Sequence, residues 1–201
     1  MRIERPTVEY AAEERATLAA AGLIVGKSIE SPAVFDMDTI RRYYRYSDAA
    51  TDRLMNIATG LRDDALDRAF EMGLGSLRRT MLHIRDAECG WLKNWTEGST
   101  PGFETLPDTT DLAELNELFA VTRERRETFF SATAADDLQR PIVAQPREGM
   151  MLRFRLGEVM LHVCTHGTHH RAQAVNMLRH VGAEAPALDY VVLMYELGSA
   201  P

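Results

Sequence analysis

The chain is poor in cysteine: Cys89 and Cys164 are the only two in 201 residues, they lie far apart, and neither has a CxxC partner. That argues against a zinc knuckle and a disulfide framework, and it fits a reducing, cytoplasmic setting. Basic charge is also short. The formal net charge is −7, and no Lys/Arg cluster stands free of neighbouring acids, so the phosphate-neutralising surface of a nucleic-acid binder is not expected. Long hydrophobic runs are absent. Leu18 to Gly26 is too short to span a bilayer, and it follows Glu13, Glu14 and Arg15 where a secretory leader would carry a basic segment. No internal repeat or low-complexity tract is present. A soluble protein without a membrane partner is expected, with one core for a chain of this length.

What the chain does contain is helical periodicity. Residues 1–35 stand apart as an N-terminal arm: Val8 to Ala21 has helical composition, Gly22 offers a C-cap, and Gly26 to Pro32 is turn-rich. The main domain is expected over 36–201. A first long helix is predicted from Asp38 to Gly60, capped by Asp36 or Asp38, with Ile40, Tyr43, Ala50, Leu54, Ile57 and Leu61 as its apolar stripe. After an acidic connection, Arg62 to Phe70, and a flexible Gly73 to Gly75, Ser76 caps a second helix that ends near Asn94 to Gly98. Its inward positions are Leu77, Met81, Ile84, Ala87, Trp91 and Trp95. Pro101 and Pro107 break the next connection. A third helix follows from Asp111 to about Ser131, burying Leu115, Leu118, Phe119, Thr122 and Phe129, with Arg123 to Glu127 (RERRE) read as a solvated face. Gln139 to Arg155, interrupted by Pro146 and Gly149, fits a loop or small hairpin. The fourth long helix runs from Leu156 to about Val181, and a short one from Leu188 to Glu196 closes the chain. The fold class is therefore all-α: an antiparallel four-helix bundle with an N-terminal arm and a short hairpin or loop before the last long helix.

That fourth helix carries the densest chemical signal. LHVCTHGTHHRAQ, Leu161 to Gln173, holds four of the six histidines within nine residues. At about 100° per residue, His166 and His170 fall roughly 60° and 20° from Val163 on the apolar face, while His162 and His169 fall roughly 100° and 120° away, toward the flank. Two inward imidazoles one turn apart can converge on one cation, or be core histidines satisfied by hydrogen bonds. His83, at the margin of the apolar face of the second helix, is the natural third ligand. A carboxylate-bridged di-iron bundle would need several inward Glu and Glu-x-x-His pairs; no Glu-x-x-His occurs, and only Glu88 is clearly inward on the second helix. A mononuclear histidine site fits better.

With these motifs placed, the chain resembles the DinB/YfiT-like family of metal-binding four-helix bundles. The resemblance rests on Tyr43 to Arg53, on GSLRRTMLHIRDAE at Gly75 to Glu88, and above all on LGEVMLHVCTHGTHHRAQ at Leu156 to Gln173 followed by LRHVG at Leu178 to Gly182. It covers about Asp38 to Glu196. The resemblance implies a divalent metal, zinc, nickel or iron, held by His83, His166 and His170. Ala172 stands where a glycine is common in that pattern, and residues 1–35 have no counterpart in it.

Three imidazoles leave a coordination position open, as in catalytic zinc sites. The resemblance points to thiol chemistry, since relatives include transferases that use low-molecular-weight thiols and a thiol-dependent maleylpyruvate isomerase. The leading expectation is a metal-dependent S-transferase with a low-molecular-weight thiol and a small electrophile as partners. A metal-dependent hydrolase and a non-catalytic metal or small-ligand binding protein are the alternatives. Arg171, read as exposed on the helix flank, is a candidate contact for a substrate carboxylate or a partner in a salt bridge. Glu158 and Gln173 are candidates to orient the ligands. His162, His169 and His180 are assigned to flank or surface, and both cysteines to packing. Tyr43, Tyr44 and Tyr46 cannot all face one four-helix core, and on that ground a homodimer is expected.

Overall fold

The computed structural model describes residues 36–98, 105–147 and 150–198. The expected N-terminal arm, Pro101 and Gly149 lie outside these. The elements are α1 (Met37–Ala58), α2 (Asp63–Leu66), α3 (Leu77–Glu97), α4 (Leu112–Ala132), a 3-10 turn at Ala135–Gln139, β1 (Pro141–Arg147), β2 (Met150–Arg155), α5 (Leu156–His180) and α6 (Tyr190–Glu196).

Local chemistry sets the helix ends. The side chains of Asp36, Ser76 and Asp111 accept hydrogen bonds from the backbone N–H groups of Thr39, Arg79 and Ala113 at 2.6, 3.2 and 2.7 Å. Each cap satisfies a donor that the helix itself cannot, a contribution of about 1 kcal/mol. α3 closes on Gly98 in the left-handed region, at φ 68°.

The four long helices form a closed ring in which α5 packs on α3 and α1, α3 on α4, and α4 on α1. Side-chain pairs give their directions. Tyr44 meets Met160 and Ser47 meets Arg171, so α1 and α5 run the same way. Glu88 meets Arg126 and Trp95 stacks near Phe129, so α3 and α4 run together in the opposite direction. The all-α bundle expected from periodicity is present, two helices up and two down, and the segment before α5 is an antiparallel hairpin. Its Ile142 and Ala144 pack into the core beside Trp91, Trp95 and Phe130.

Two stripes differ from expectation. On α1 the buried residues are Ile40, Tyr44, Tyr46, Ser47, Ala50, Thr51, Leu54, Met55 and Ala58, while Tyr43 is exposed. Ile40, Ala50 and Leu54 are buried as expected and Ile57 and Leu61 pack at the edge of the core, but Tyr44 takes the place expected for Tyr43 and the face is partly polar. On α4 the run at 123–127 is not merely a solvated face: Arg126 is buried and Arg123 half-buried, and Arg126 pairs with Asp48 and with the buried Glu88. Phe130 takes the buried place expected for Phe129.

The tyrosines find partners within the chain. α6 lies over α1, where Tyr46, Ala50, Leu193 and Met194 form a small cluster. Tyr43 stacks on Tyr190 at 5.3 Å, and the Tyr46 hydroxyl donates to the Leu188 carbonyl at 2.9 Å. Tyr44 and Tyr46 are thus covered by the chain itself, while Tyr43 stays exposed.

The core is divided. One hydrophobic cluster gathers Leu54, Leu77, Met81, Leu115, Phe119 and Met177; a second gathers Tyr44, Trp91, Phe130, Leu156, Met160 and Val163. Along each long helix the stretch between the two clusters supplies buried polar groups, namely Ser47 and Thr51, Glu88, Thr122 and Arg126, and His170 and Arg171. The centre described next sits beside this polar layer. No helix among the described residues is long and apolar enough to cross a membrane.

Candidate metal centre

α3 and α5 run antiparallel, and this brings the second turn of α3 opposite the middle of α5. Three histidines meet there. His83 Nε2 lies 3.4 Å from His166 Nε2, which lies 3.2 Å from His170 Nε2. His170 is buried, and His83 and His166 are half-buried. A tetrahedral ion with Zn–N bonds of about 2.0–2.1 Å separates its nitrogen ligands by about 3.3 Å. The observed spacings bracket that value. His162, His169 and His180 are exposed. His162 presents its ring edge-on to Trp91 at 5.6 Å, and the His180 ring lies 5.9 Å from Phe70.

The protonation of the three rings also suits a cation. Burial pushes the His166 pKa down to about 4, helped by the neighbouring His170 and His83 rings. His83 and His170 are lowered as well, chiefly by burial. Near pH 7 all three are therefore neutral and hold a lone pair each. The His170 Nδ1 lies 2.8 Å from Gln173 Oε1, an acceptor; a proton on Nδ1 satisfies that contact and leaves the Nε2 lone pair facing the other two rings. Nitrogen lone pairs at these separations repel unless a proton or a metal lies between them. The donor set fits a divalent ion, and no carboxylate joins the cluster among the described residues.

The remaining candidates have other places. Arg171, expected on an exposed flank, is only 1% exposed. Its Nη1 donates to Ser47 Oγ at 2.8 Å and its Nη2 to Thr168 Oγ1 at 3.1 Å, so its hydrogen bonds run to α1 and along α5. Glu158 caps α5, accepting from the Arg155 N–H at 2.8 Å. Cys164 is buried and its pKa is pushed up to about 12, mainly by desolvation, so it is no thiolate at neutral pH. One residue near the centre has no counterpart among the expected site residues. Gly73, at φ 54°, packs so closely on Gln173 that a β-carbon there would lie 2.6 Å from Oε1. The glycines at 73 and 75 mark a turn, and only the three-dimensional fold shows what the turn presses on.

Comparison with known proteins agrees with this architecture. The model of the DinB family matches residues 36–197, nearly all of the helical domain. The chain belongs to the DinB family. The protein named DinB from Bacillus subtilis (strain 168) is 24% identical over 162 residues, which span 77% of this chain and 92% of that one. A crystal structure of a DinB-like protein from Bacillus cereus ATCC 10987 superposes with a TM-score of 0.54 at 18% identity, covering 75% of this chain and 95% of the other. At that identity the likeness establishes the DinB-like fold alone.

Proposed function

We propose that this DinB-family protein binds a divalent metal, zinc, nickel or iron, through His83, His166 and His170, and that the centre serves an S-transferase using a low-molecular-weight thiol. The observation that carries the reading is the meeting of three neutral Nε2 atoms at 3.2 and 3.4 Å. When bound, an ion with three neutral ligands keeps its full double charge and favours thiolate over thiol at its open position, which supplies a nucleophile at neutral pH.

The chain's residues account for the rest. The two helices hold the three rings at fixed spacing, and Gln173 Oε1 stands 2.8 Å from the far nitrogen of the His170 ring. Cys164 is locked as a buried thiol. An external thiol is therefore the natural source of sulfur. In the transfer its proton passes to solvent, its sulfur forms the new bond to the electrophile, and the leaving group departs with the electrons of the broken bond.

The test is turnover of small electrophiles with and without metal and with and without added thiol, metal content being measured after each run. Conversion should need both, and His166→Ala should lose metal and turnover together. Metal-dependent conversion that needs no thiol and falls as thiol is added would establish a hydrolase. Metal binding with no turnover on a broad panel would leave a binding protein.

A further inference from the structure

We propose that Gln173 is a positioning residue for the metal centre: its amide is clamped between His169, His170 and the turn at Gly73, and the clamp holds His170 in the one tautomer that presents Nε2 to the ion. This inference rests on the metal reading and deepens it. Its basis is a chain of contacts. Gln173 Oε1 lies 2.8 Å from His170 Nδ1, while Gln173 Nε2 lies 2.9 Å from His169 Nε2. A primary amide has one accepting and one donating end. With the NH2 group donating to the His169 Nε2 lone pair, Oε1 must accept from His170 Nδ1–H, and His170 Nε2 is left free for the metal. The flipped amide would donate to His170 Nδ1, move that ring's proton to Nε2, and place it where the ion belongs.

Gly73 supplies the steric half of the clamp. Its Cα packs on the Gln173 side chain, and the β-carbon of any other residue would fall 2.6 Å from Oε1 and 3.0 Å from Cδ. No ordinary contact is that short, so a side chain at position 73 would push the Gln173 amide out of its place beside His170. His169, which is exposed, supports this orientation of the amide when its own proton is on Nδ1 and its Nε2 accepts from the Gln173 NH2 group. Metal-bound histidines are generally held in this way through their second nitrogen, and loss of such a partner weakens metal binding by about 10–100-fold.

The experiment is zinc affinity by competition with a chromophoric chelator at pH 7.5, on the full chain stripped of metal and then titrated. Gln173→Leu should bind zinc about 10–100-fold more weakly than wild type with unchanged helical content. Gln173→Glu, whose carboxylate also accepts from Nδ1–H, should restore affinity to at least the wild-type level. His169→Ala should weaken binding in the same direction as Gln173→Leu. Wild-type affinity in Gln173→Leu would overturn the proposal. A second measurement needs no variant: long-range 1H–15N correlation spectra of the zinc-loaded wild type should show the His170 proton on Nδ1, and a proton on Nε2 would overturn it. A wild-type protein that takes up no zinc, nickel or iron would instead remove the metal reading itself.

Discussion

At the scale of single residues, Gly167 shows how tightly the polar layer is built. A β-carbon at this position would lie 2.8 Å from Arg171 Nη1 and 3.5 Å from its Cζ. The guanidinium cannot swing away freely, because it is buried and bonded to Ser47 and Thr168. Gly167→Ala should therefore destabilise the protein by about 1–3 kcal/mol through overpacking, despite the better helix propensity of alanine. A thermal melt should fall by about 2–4 °C per kcal/mol for a chain of this size; an unchanged midpoint would show that Arg171 has room to move. The three converging histidines are legible in the sequence because helical spacing separates His166 and His170 from His162 and His169. The burial of Arg171 is not, since nothing in one helix reveals that α1 offers Ser47 and Thr51 opposite it. Arg126 carries a signal that the charge run conceals: Leu115, Phe119, Thr122, Arg126 and Phe130 recur at helical spacing, so the arginine stands on the buried stripe.

At the scale of elements, the short α2 ties the linker between α1 and α3 to the start of α3. Arg78, buried in the first turn of α3, donates through Nε to Asp67 Oδ1 at 2.7 Å, pairs with Asp63, and donates through Nη1 to the Thr110 carbonyl at 3.1 Å. The hydrogen bonds to Asp67 hold its guanidinium above the usual arginine pKa. Asp63 and Asp67 are exposed and can be rehydrated if the arginine is lost, whereas the buried contact to Thr110 cannot be replaced as readily. Arg78→Met, which keeps the apolar stem, should cost about 1–3 kcal/mol. The effect should be local: the amides of Ala65, Leu66 and Asp67, which close α2 onto Arg62 and Asp63, should exchange with solvent faster than in the wild type. Equal exchange would mean that α2 stands without its arginine. In the sequence this stretch reads only as an acidic connection, because a four-residue helix is too short to show a period. The hairpin before α5 is legible, because Pro and Gly there interrupt two runs that are too short for anything but extended chain.

At the scale of the whole molecule, the number of long helices follows from periodicity and caps, but their directions do not, since a connection the length of Gly98 to Asp111 can either turn back or cross over. Here α4 runs parallel to α3, and the resulting ring places α5 between α1 and α3, with its histidines facing α3. That placement makes folding sensitive to acid in a direction that can be worked out. His83, His166 and His170 are all held below the ordinary imidazole value by burial. Between about 6.5, where unfolded histidines titrate, and about 4 for His166, the unfolded chain binds more protons than the folded one. Stability must then rise with pH across that interval, be fully present above it, and be lost as pH falls through it. The buried Glu88 is raised by desolvation and acts with the opposite sign, its share being lost as pH rises through its folded value. His162 is lowered by burial too, and with four rings against one carboxyl the metal-free protein should unfold at lower urea concentration at pH 5 than at pH 7.5. Zinc in excess should raise stability at pH 7.5 by about 2.7 kcal/mol when free metal is about 100 times its Kd. Because protons and metal compete for the same lone pairs, that gain should shrink as the pH approaches 4. Urea melts of metal-free and zinc-loaded protein at several pH values test both statements together. A metal-free stability that stays level or increases from pH 7.5 to 5, or a zinc increment that does not diminish with acid, would mean that the three rings are not the neutral, convergent ligands that their burial and spacing require.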